Sequence, residues 1–426
     1  MTISTHPVRD PARQEVAVNS LLDRAQVQFA RRYRQLRDIW KAEGPRGISH
    51  RTRTAVARWL APKDVVMPVR PADIVAVDLF RSLRVVVPTT SPGQPVFINW
   101  VTTPPSPGAG GHTTLYRIVR YLEAHGYVNR VYFYDVHRVD HQYYESIVRR
   151  SYEFNGRLAS LDDGMDNAHA VVATSWPTAY PAFNARCAGK RFYFVQDFEP
   201  YFYPVGASSV LAENTYRMGF HAITAGRWLA EKLRTEFCME ADYFEFGCDA
   251  SRYNRLPSSR RSGVVFYARP EAARRGFELG LMAIELFAKR RPEIELHFYG
   301  DKMGKLPFAF VDHGRVTPEQ LNCIYNRCYA GLSLSLTNVS LVPHEMLAAG
   351  CIPVVNDAVH NRIVLDNPFI RYASPNPHAL AAELEALVTM ADFDSLSRRA
   401  AASVHPRTWD DAGAAVDAIF RRVLGA

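Results

Sequence analysis

Cysteine is scarce in this chain of 426 residues: Cys187, Cys238, Cys248, Cys323, Cys328 and Cys351 are scattered, and no two form C-x-x-C. That pattern argues against a cysteine-held metal cluster or a disulfide scaffold, and the six read as reduced core thiols of a cytosolic protein. No apolar run approaches the roughly 20 residues needed to cross a bilayer. Met1 to Asn19 has no apolar core of the kind a signal peptide needs. No Walker A loop is present, because no glycine-rich turn is followed by Gly-Lys-Ser/Thr, and G-x-G-x-x-G never occurs in full. No D-x-D stands at a strand end where it would hold a metal, and no nucleic-acid recognition motif accompanies the basic residues.

What the chain does have is an ordinary globular composition, 47% hydrophobic, and a length that suggests two or three domains. Its formal charge of +8 is unevenly placed. Residues 1–60 hold 12 Lys/Arg against 5 Asp/Glu, whereas the rest of the chain is nearly balanced. This stretch is read as a basic helical arm, with Leu21, Leu22, Ala25, Phe29, Tyr33, Leu36 and Trp40 on one stripe of a helix over Asn19–Ala42. Its charge is either a solvated helix face or an attraction to anionic lipid headgroups or an acidic acceptor, each surface charge contributing about 1 kcal/mol.

From Pro95 onward strand and helix patterns alternate. Strands are expected at PVFINWV, VNRVYFYD, AVVATS, RFYFVQ, HAITA and ADYFEFG, with helices at Thr113–His125 and Gly226–Phe237. A polar, turn-rich stretch, CDASRYNRLPSSRRSG (248–263), reads as a linker. The alternation then restarts with VVFYA, a helix over Phe277–Arg290, IELHFYG, a helix over Pro318–Asn326, AGLSLSL, a helix at LVPHEMLAAG, and IPVVN. Alternating strands and helices imply parallel sheets covered on both faces. The expected fold is therefore α/β, two Rossmann-like domains facing a cleft: 1–60 the arm, 61–250 the first domain, 251–405 the second. The amphipathic helix of 406–426 is expected to pack back on the first domain.

Four stretches could carry chemistry. In PPSPGAGGHTTLY a glycine-rich turn leads from a strand into a helix, so Gly110 and Gly111 would let a ligand approach backbone N–H groups, with His112 at the helix entry. A plain strand-to-helix turn is the alternative. In YARPEAARRG, Arg269 ends a strand and Arg274 and Arg275 precede the next helix, a placement that suits a diphosphate; surface arginines are the alternative. In SLTNVSLVPHEMLAAG, Ser340 reads as an N-cap, and Leu341 and Val342 would present unpaired N–H groups. Glu345 lies one turn in, where it either accepts hydrogen bonds from a ribose diol or only complements the helix dipole. In KRFYFVQDFEPYFYPVG, Asp197, Glu199 and Tyr201 stand among aromatic rings, a composition that suits carbohydrate, with Asp197 as a general base or an orienting acid. A hydrophobic loop with two solvated acids is the alternative.

Taken together, INWVTTPPSPGAGGHTTLYRIVRYLEAHGY, YFVQDFEPYFYPVGASSVLAENTYRMGFHAITAGRWLAEKL, YARPEAARRGFELG and SLTNVSLVPHEMLAAGCIPVV resemble a GT-B glycosyltransferase of the retaining family 4 class, and more narrowly the WsaF-type rhamnosyltransferases. The resemblance covers roughly residues 93 to 420. It implies transfer of L-rhamnose from dTDP-L-rhamnose to a glycan or lipid-linked saccharide, without a metal or other cofactor and without nucleic acid as partner. It implies a cytoplasmic location, at the inner face of the plasma membrane if the arm binds lipid. The donor set is Gly110, Gly111, Arg269, Arg275, Tyr299, Gly300, Asn338, Ser340, Leu341, Val342 and Glu345. The acceptor set is Asp197, Glu199 and Tyr201, and the catalytic candidates are Asp197 and His112. Glu345 matches the second acid of the family's E-x7-E motif, while Thr337 stands where the first is usual. Two other readings stay open: an epimerase-like enzyme that transfers nothing, and a non-catalytic nucleotide-sugar-binding subunit.

Overall fold

The computed structural model describes residues 67–425 apart from positions 82, 92, 139–140, 250, 258–259, 340 and 405–407. It also describes helical positions 37, 45, 49, 51–53 and 56. The arm and the helix expected over Asn19–Ala42 lie almost wholly outside the described residues.

The first half holds a seven-stranded sheet with every pair parallel. Its strands are β1 (Val96–Thr102), β2 (Tyr127–Phe133), β3 (Arg157–Ser160), β4 (Ala170–Ala173), β5 (Lys190–Val195), β6 (His221–Ala225) and β7 (Ala241–Phe244). Its helices are α1 (Pro71–Val75), α2 (Gly110–Ala124), α3 (His141–Tyr152), α4 (Trp176–Asn184), α5 (Ala207–Asn214) and α6 (Arg227–Phe237). Strand order is β3-β2-β1-β4-β5-β6-β7, so the chain reverses direction across the sheet between β1 and β4.

A six-stranded parallel sheet fills the second half: β8 (Gly263–Ala268), β9 (Glu295–Gly300), β10 (Val311–Gly314), β11 (Cys328–Leu332), β12 (Ile352–Asn356) and β13 (Arg371–Ala373). Around it run α7 (Phe277–Arg290), α8 (Pro318–Arg327), α9 (Val342–Ala348), α10 (Val359–Leu365), α11 (Pro377–Val388) and α12 (Phe393–Ser403). The order β10-β9-β8-β11-β12-β13 places the reversal between β8 and β11. Such reversals open a crevice beyond the carboxyl ends of the strands, where α/β sheets bind ligands. The glycine-rich loop follows β1 and the Arg269–Arg275 loop follows β8, so both stand at reversals.

The central strands are apolar along their length because both faces are covered. Trp100 is fully buried among Phe194 and Phe420, and its indole N–H donates to Asn129 Oδ1 at 2.8 Å. Phe420 belongs to α13 (Trp409–Leu424), which adds Ala412, Val416 and Ile419 to this core. The helix lies so close to α2 that a Cβ at Gly413 would stand 2.2 Å from the Tyr121 ring. The polar stretch before β8 is laid on α8 by side-chain amides. Asn254 N–H donates to Asn322 Oδ1 (3.1 Å), Leu256 N–H to Asn326 Oδ1 (2.8 Å), and Asn326 returns a bond to Asn254 O (2.9 Å).

Three differences from the sequence reading have physical causes. AGLSLSL ends as a strand at Leu332, because Asn356 Oδ1 captures the Ser335 N–H (2.8 Å) and its amide holds Ser335 O (2.8 Å). The edge strands β3, β10 and β13 went unread because each is short and only partly apolar. All six cysteines are unpaired, but they are not all core thiols. Cys328 and Cys351 are buried, whereas Cys238 is exposed in a left-handed cap after α6 and Cys323 is exposed on α8.

Candidate active site

On the first half, α2 begins at Gly110 with Ala109 as an N-cap that offers no side-chain bond. Gly108 makes the turn at φ +70°, a conformation glycine adopts without strain. The loop is braced by Tyr152, whose hydroxyl donates to Ser106 O (2.5 Å) and accepts from Ala109 N–H (3.3 Å). His112 directs Nε2 at Thr103 O (3.2 Å), so that nitrogen carries the proton. Burial lowers its pKa below the ordinary histidine value, leaving a neutral ring with Nδ1 as an acceptor.

On the second half, Arg269 leaves the end of β8 half-buried. Its Nη1 donates to the Tyr267 hydroxyl (3.3 Å), and Nε faces Asp301 (3.3 Å). Gly300 closes β9 against this turn; a Cβ there would stand 2.4 Å from Ala268 O, so glycine alone fits. Tyr299, expected to touch the donor, is 4% exposed instead. Its ring stacks on Tyr267 (5.0 Å) and its hydroxyl pairs with that of Tyr325 (2.7 Å), so it supports the site from beneath. Arg275 donates through Nη1 to Ser335 Oγ (2.7 Å) and Asn338 O (3.4 Å).

The start of α9 is shifted from expectation. Leu341 is the N-cap, in right-handed conformation, with Val342 and Pro343 in the first turn; Ser340 lies outside the described residues. Glu345 is half-buried, and burial pushes its carboxyl up to about 7. Arg117, reaching from α2 in the first half, opposes the rise, Asp249 adds to it, and the Tyr325 hydroxyl bonds the charged form. A carboxylate poised near neutrality against a tyrosine-lined wall can accept hydrogen bonds from a diol.

Between the two halves lies a polar network centred on Asp197. Its carboxylate accepts from Phe198 N–H (2.9 Å), Asn338 N–H (2.9 Å) and Thr337 Oγ1 (3.0 Å), and Arg274 Nε lies 3.5 Å away. Asn338 donates through its amide to Gln196 O (2.9 Å) and Ala225 O (3.0 Å), while its own carbonyl accepts from Ser335 Oγ. Gln196 in turn donates to Gly111 O (3.0 Å). Nearby, Trp228 of α6 meets His360 of α10 with ring centres 5.2 Å apart. Asp197 thus accepts three hydrogen bonds, two of them from the opposite half.

Glu199, expected on the acceptor side, is 6% exposed and accepts from the Trp176 N–H (2.7 Å) at the start of α4. Burial pushes its carboxyl up to about 8, with Asp197 adding to the rise. It serves the core because the turn at Glu199–Phe202 directs it inward. Tyr201 does face solvent, 55% exposed, and packs edge-on to Phe198 with the Lys232 ammonium over both rings. Sequence reasoning missed Gln196, Arg117 and Tyr325. Their roles depend on partners far along the chain, and no local signal marks them.

Residues 262–385 match the family model of the WsaF C-terminal domain. The chain is 34% identical over 268 residues to the O-antigen biosynthesis protein RfbC of Myxococcus xanthus, a match covering 60% of this chain and 20% of that protein. It thus spans about a fifth of the length of that relative. Among solved structures, HepE of Anabaena in complex with UDP and glucose has a TM-score of 0.58 at 12% identity, over 77% of this chain and 100% of that one. WaaG, a glycosyltransferase involved in lipopolysaccharide biosynthesis, has a TM-score of 0.54 at 11% identity, again over 77% and 100%. At such identities the likeness is one of fold, and the fold is GT-B.

Proposed function

We propose that this chain, a GT-B protein whose second half matches the WsaF C-terminal domain, is a glycosyltransferase of polysaccharide biosynthesis. In this reading it moves L-rhamnose from dTDP-L-rhamnose onto a glycan or lipid-linked saccharide. The observation that carries the reading is the gathering of Arg269, Arg274 and Arg275 on the loop leaving β8 at the reversal of the second sheet, with the glycine loop at the reversal of the first. The relative named for O-antigen biosynthesis and the neighbour solved with UDP and glucose support a nucleotide-sugar donor.

In this proposal the diphosphate lies against Arg269 and Arg275 and the first turn of α9, and Glu345 accepts from the 3′-hydroxyl of the donor's deoxyribose. The arginines neutralise the leaving diphosphate in the role a magnesium ion fills elsewhere, so transfer needs no metal. Departure of the diphosphate leaves a cation-like anomeric carbon beside Gly110 and Gly111. With retention, a leaving phosphate oxygen takes the proton of the acceptor hydroxyl as that hydroxyl attacks from the same face. No strong protein base is then required. His112 Nδ1 is suited to accept a hydroxyl of the sugar, and Asp197, already held by several donors, acts by orientation.

A thermal-shift panel of dTDP, UDP, GDP and ADP tests the donor. A ligand at about 100 times its dissociation constant adds about 2.7 kcal/mol of stability. Selective stabilisation by GDP or UDP overturns the dTDP-rhamnose assignment. Conversion of the donor sugar in the absence of any acceptor overturns transfer in favour of an epimerase-like reaction.

A further inference from the structure

Along the loop after β11, polarity is inverted relative to exposure. Ser335, Thr337 and Asn338 are 5%, 1% and 1% exposed, and each is hydrogen-bonded inward. Leu336 between them is 42% exposed, the one exposed side chain in the described run from Ala330 to Val339. Its position is fixed from three directions. Its own N–H donates to Arg274 O (2.8 Å), Arg275 grips Ser335 and Asn338 on either side, and Asp197 anchors Thr337 and Asn338 from the opposite half. Holding a leucine outward on a loop of such rigidity leaves its apolar surface in water, a cost of about 25 cal/mol per Å² of surface that burial would recover. Its side chain lies beside Gly276, with Cδ1 3.7 Å from where a Cβ on that glycine would stand, at the turn that follows Arg274 and Arg275. In the proposed donor pose that turn borders the diphosphate, and the attached sugar would lie within reach of Leu336.

We propose that Leu336 selects the transferred sugar by contacting an apolar position of it, so that the site favours a 6-deoxy hexose over one carrying the 6-hydroxyl. Thr337 makes no such contact, because its hydroxyl is spent on Asp197 and its side chain is buried. The inference rests on the reading of the site as a nucleotide-sugar site and deepens it. A hydroxyl placed against Leu336 would lose its water partners with nothing in return, while a methyl group would gain contact.

The test compares binding of dTDP-6-deoxy-D-glucose with dTDP-D-glucose, and of UDP-6-deoxyglucose with UDP-glucose, each by calorimetric titration. It uses the wild-type chain, Leu336→Ser and Leu336→Met, with dTDP and UDP alone as references. The exposed position makes all three fold alike, which their melting temperatures check. The expected result is that wild type prefers the deoxy sugar, that Leu336→Ser loses that preference about tenfold, that Leu336→Met keeps it, and that the nucleotides alone bind unchanged. An unchanged preference in Leu336→Ser overturns the inference. So does a loss of nucleotide affinity in the same proportion, which would make Leu336 a support for the loop. A wild type that takes UDP in place of dTDP sinks the rhamnose assignment but still tests the leucine through the UDP pair. A wild type that binds neither nucleotide overturns both.

Discussion

The carboxyl ends of the two sheets share a plan, a loop at each reversal of strand order, yet they are furnished oppositely. The first offers glycine, backbone N–H groups and a neutral histidine, braced by the Tyr152 hydroxyl. The second offers Arg269, Arg274 and Arg275, held in place by Tyr267, Ser335 and Asp197. A site of low charge suits a polyol, whose hydroxyls need acceptors and room. A cluster of guanidinium groups suits a leaving group that gathers negative charge. In the proposed transfer reaction, that difference places the acceptor with the first half and the leaving diphosphate with the second.

The sharpest way to break this comparison is to remove charge from the second side. Arg269→Ala is expected to cut turnover about 10²–10³-fold while folding is retained, as steady-state kinetics and circular dichroism will read. Near-normal turnover would end its assigned role. Next in size is the join between the halves. Asn338→Asp replaces two amide donors with acceptors and sets a second carboxylate beside Asp197. It should lower unfolding free energy by about 3 kcal/mol in urea titration, and an unchanged midpoint would mean that the network holds nothing.

Smaller effects contrast two acids, one on each half. Glu345 is half-buried in the proposed donor site with its carboxyl near 7. Its ionised form accepts from the 3′-hydroxyl of the deoxyribose, so dTDP affinity should fall as pH drops from 8 to 6. Glu345→Gln should weaken binding at pH 8 roughly fivefold, about 1 kcal/mol, and flatten that profile. A slope equal to wild type would place the titration elsewhere. Glu199 is buried with its carboxyl near 8. The folded state therefore keeps a proton that the unfolded chain has lost above about pH 4.3, and stability declines as pH rises through that window to 8. Glu199→Gln stays neutral, so its melting temperature relative to wild type should rise between pH 5 and pH 8. A constant difference would show that Glu199 titrates as a solvated acid.

The sequence carried the central strands and the loops at the reversals well, because buried parallel strands are written as local apolar runs and tight turns as local glycines. The helix over Phe277–Arg290 falls where periodicity sets it. What escaped was orientation decided by distant partners. In AGLSLSL the alternation puts Leu332, Leu334 and Leu336 on one face of a strand. The first two are buried and the third is turned out, because the strand ends early and Asp197, 140 residues away, takes Thr337 inward. Glu199 and Glu345 both stand in apolar surroundings, and only the fold separates the acid that caps α4 from the one opposed by Arg117 of the other half.

The packing of α13 on the first sheet has a consequence for the order in which this protein is made. Val416, Ile419 and Phe420 complete a core whose other members begin at Ile98, so the first half to leave the ribosome is the last able to close. The second sheet draws its buried residues from Val264 to Ala400 and is fully synthesised sooner than that closing helix. Until α13 is synthesised, the face around Trp100 that Phe420 covers has no partner from that helix, and exposed apolar surface of this kind favours aggregation in a nascent chain.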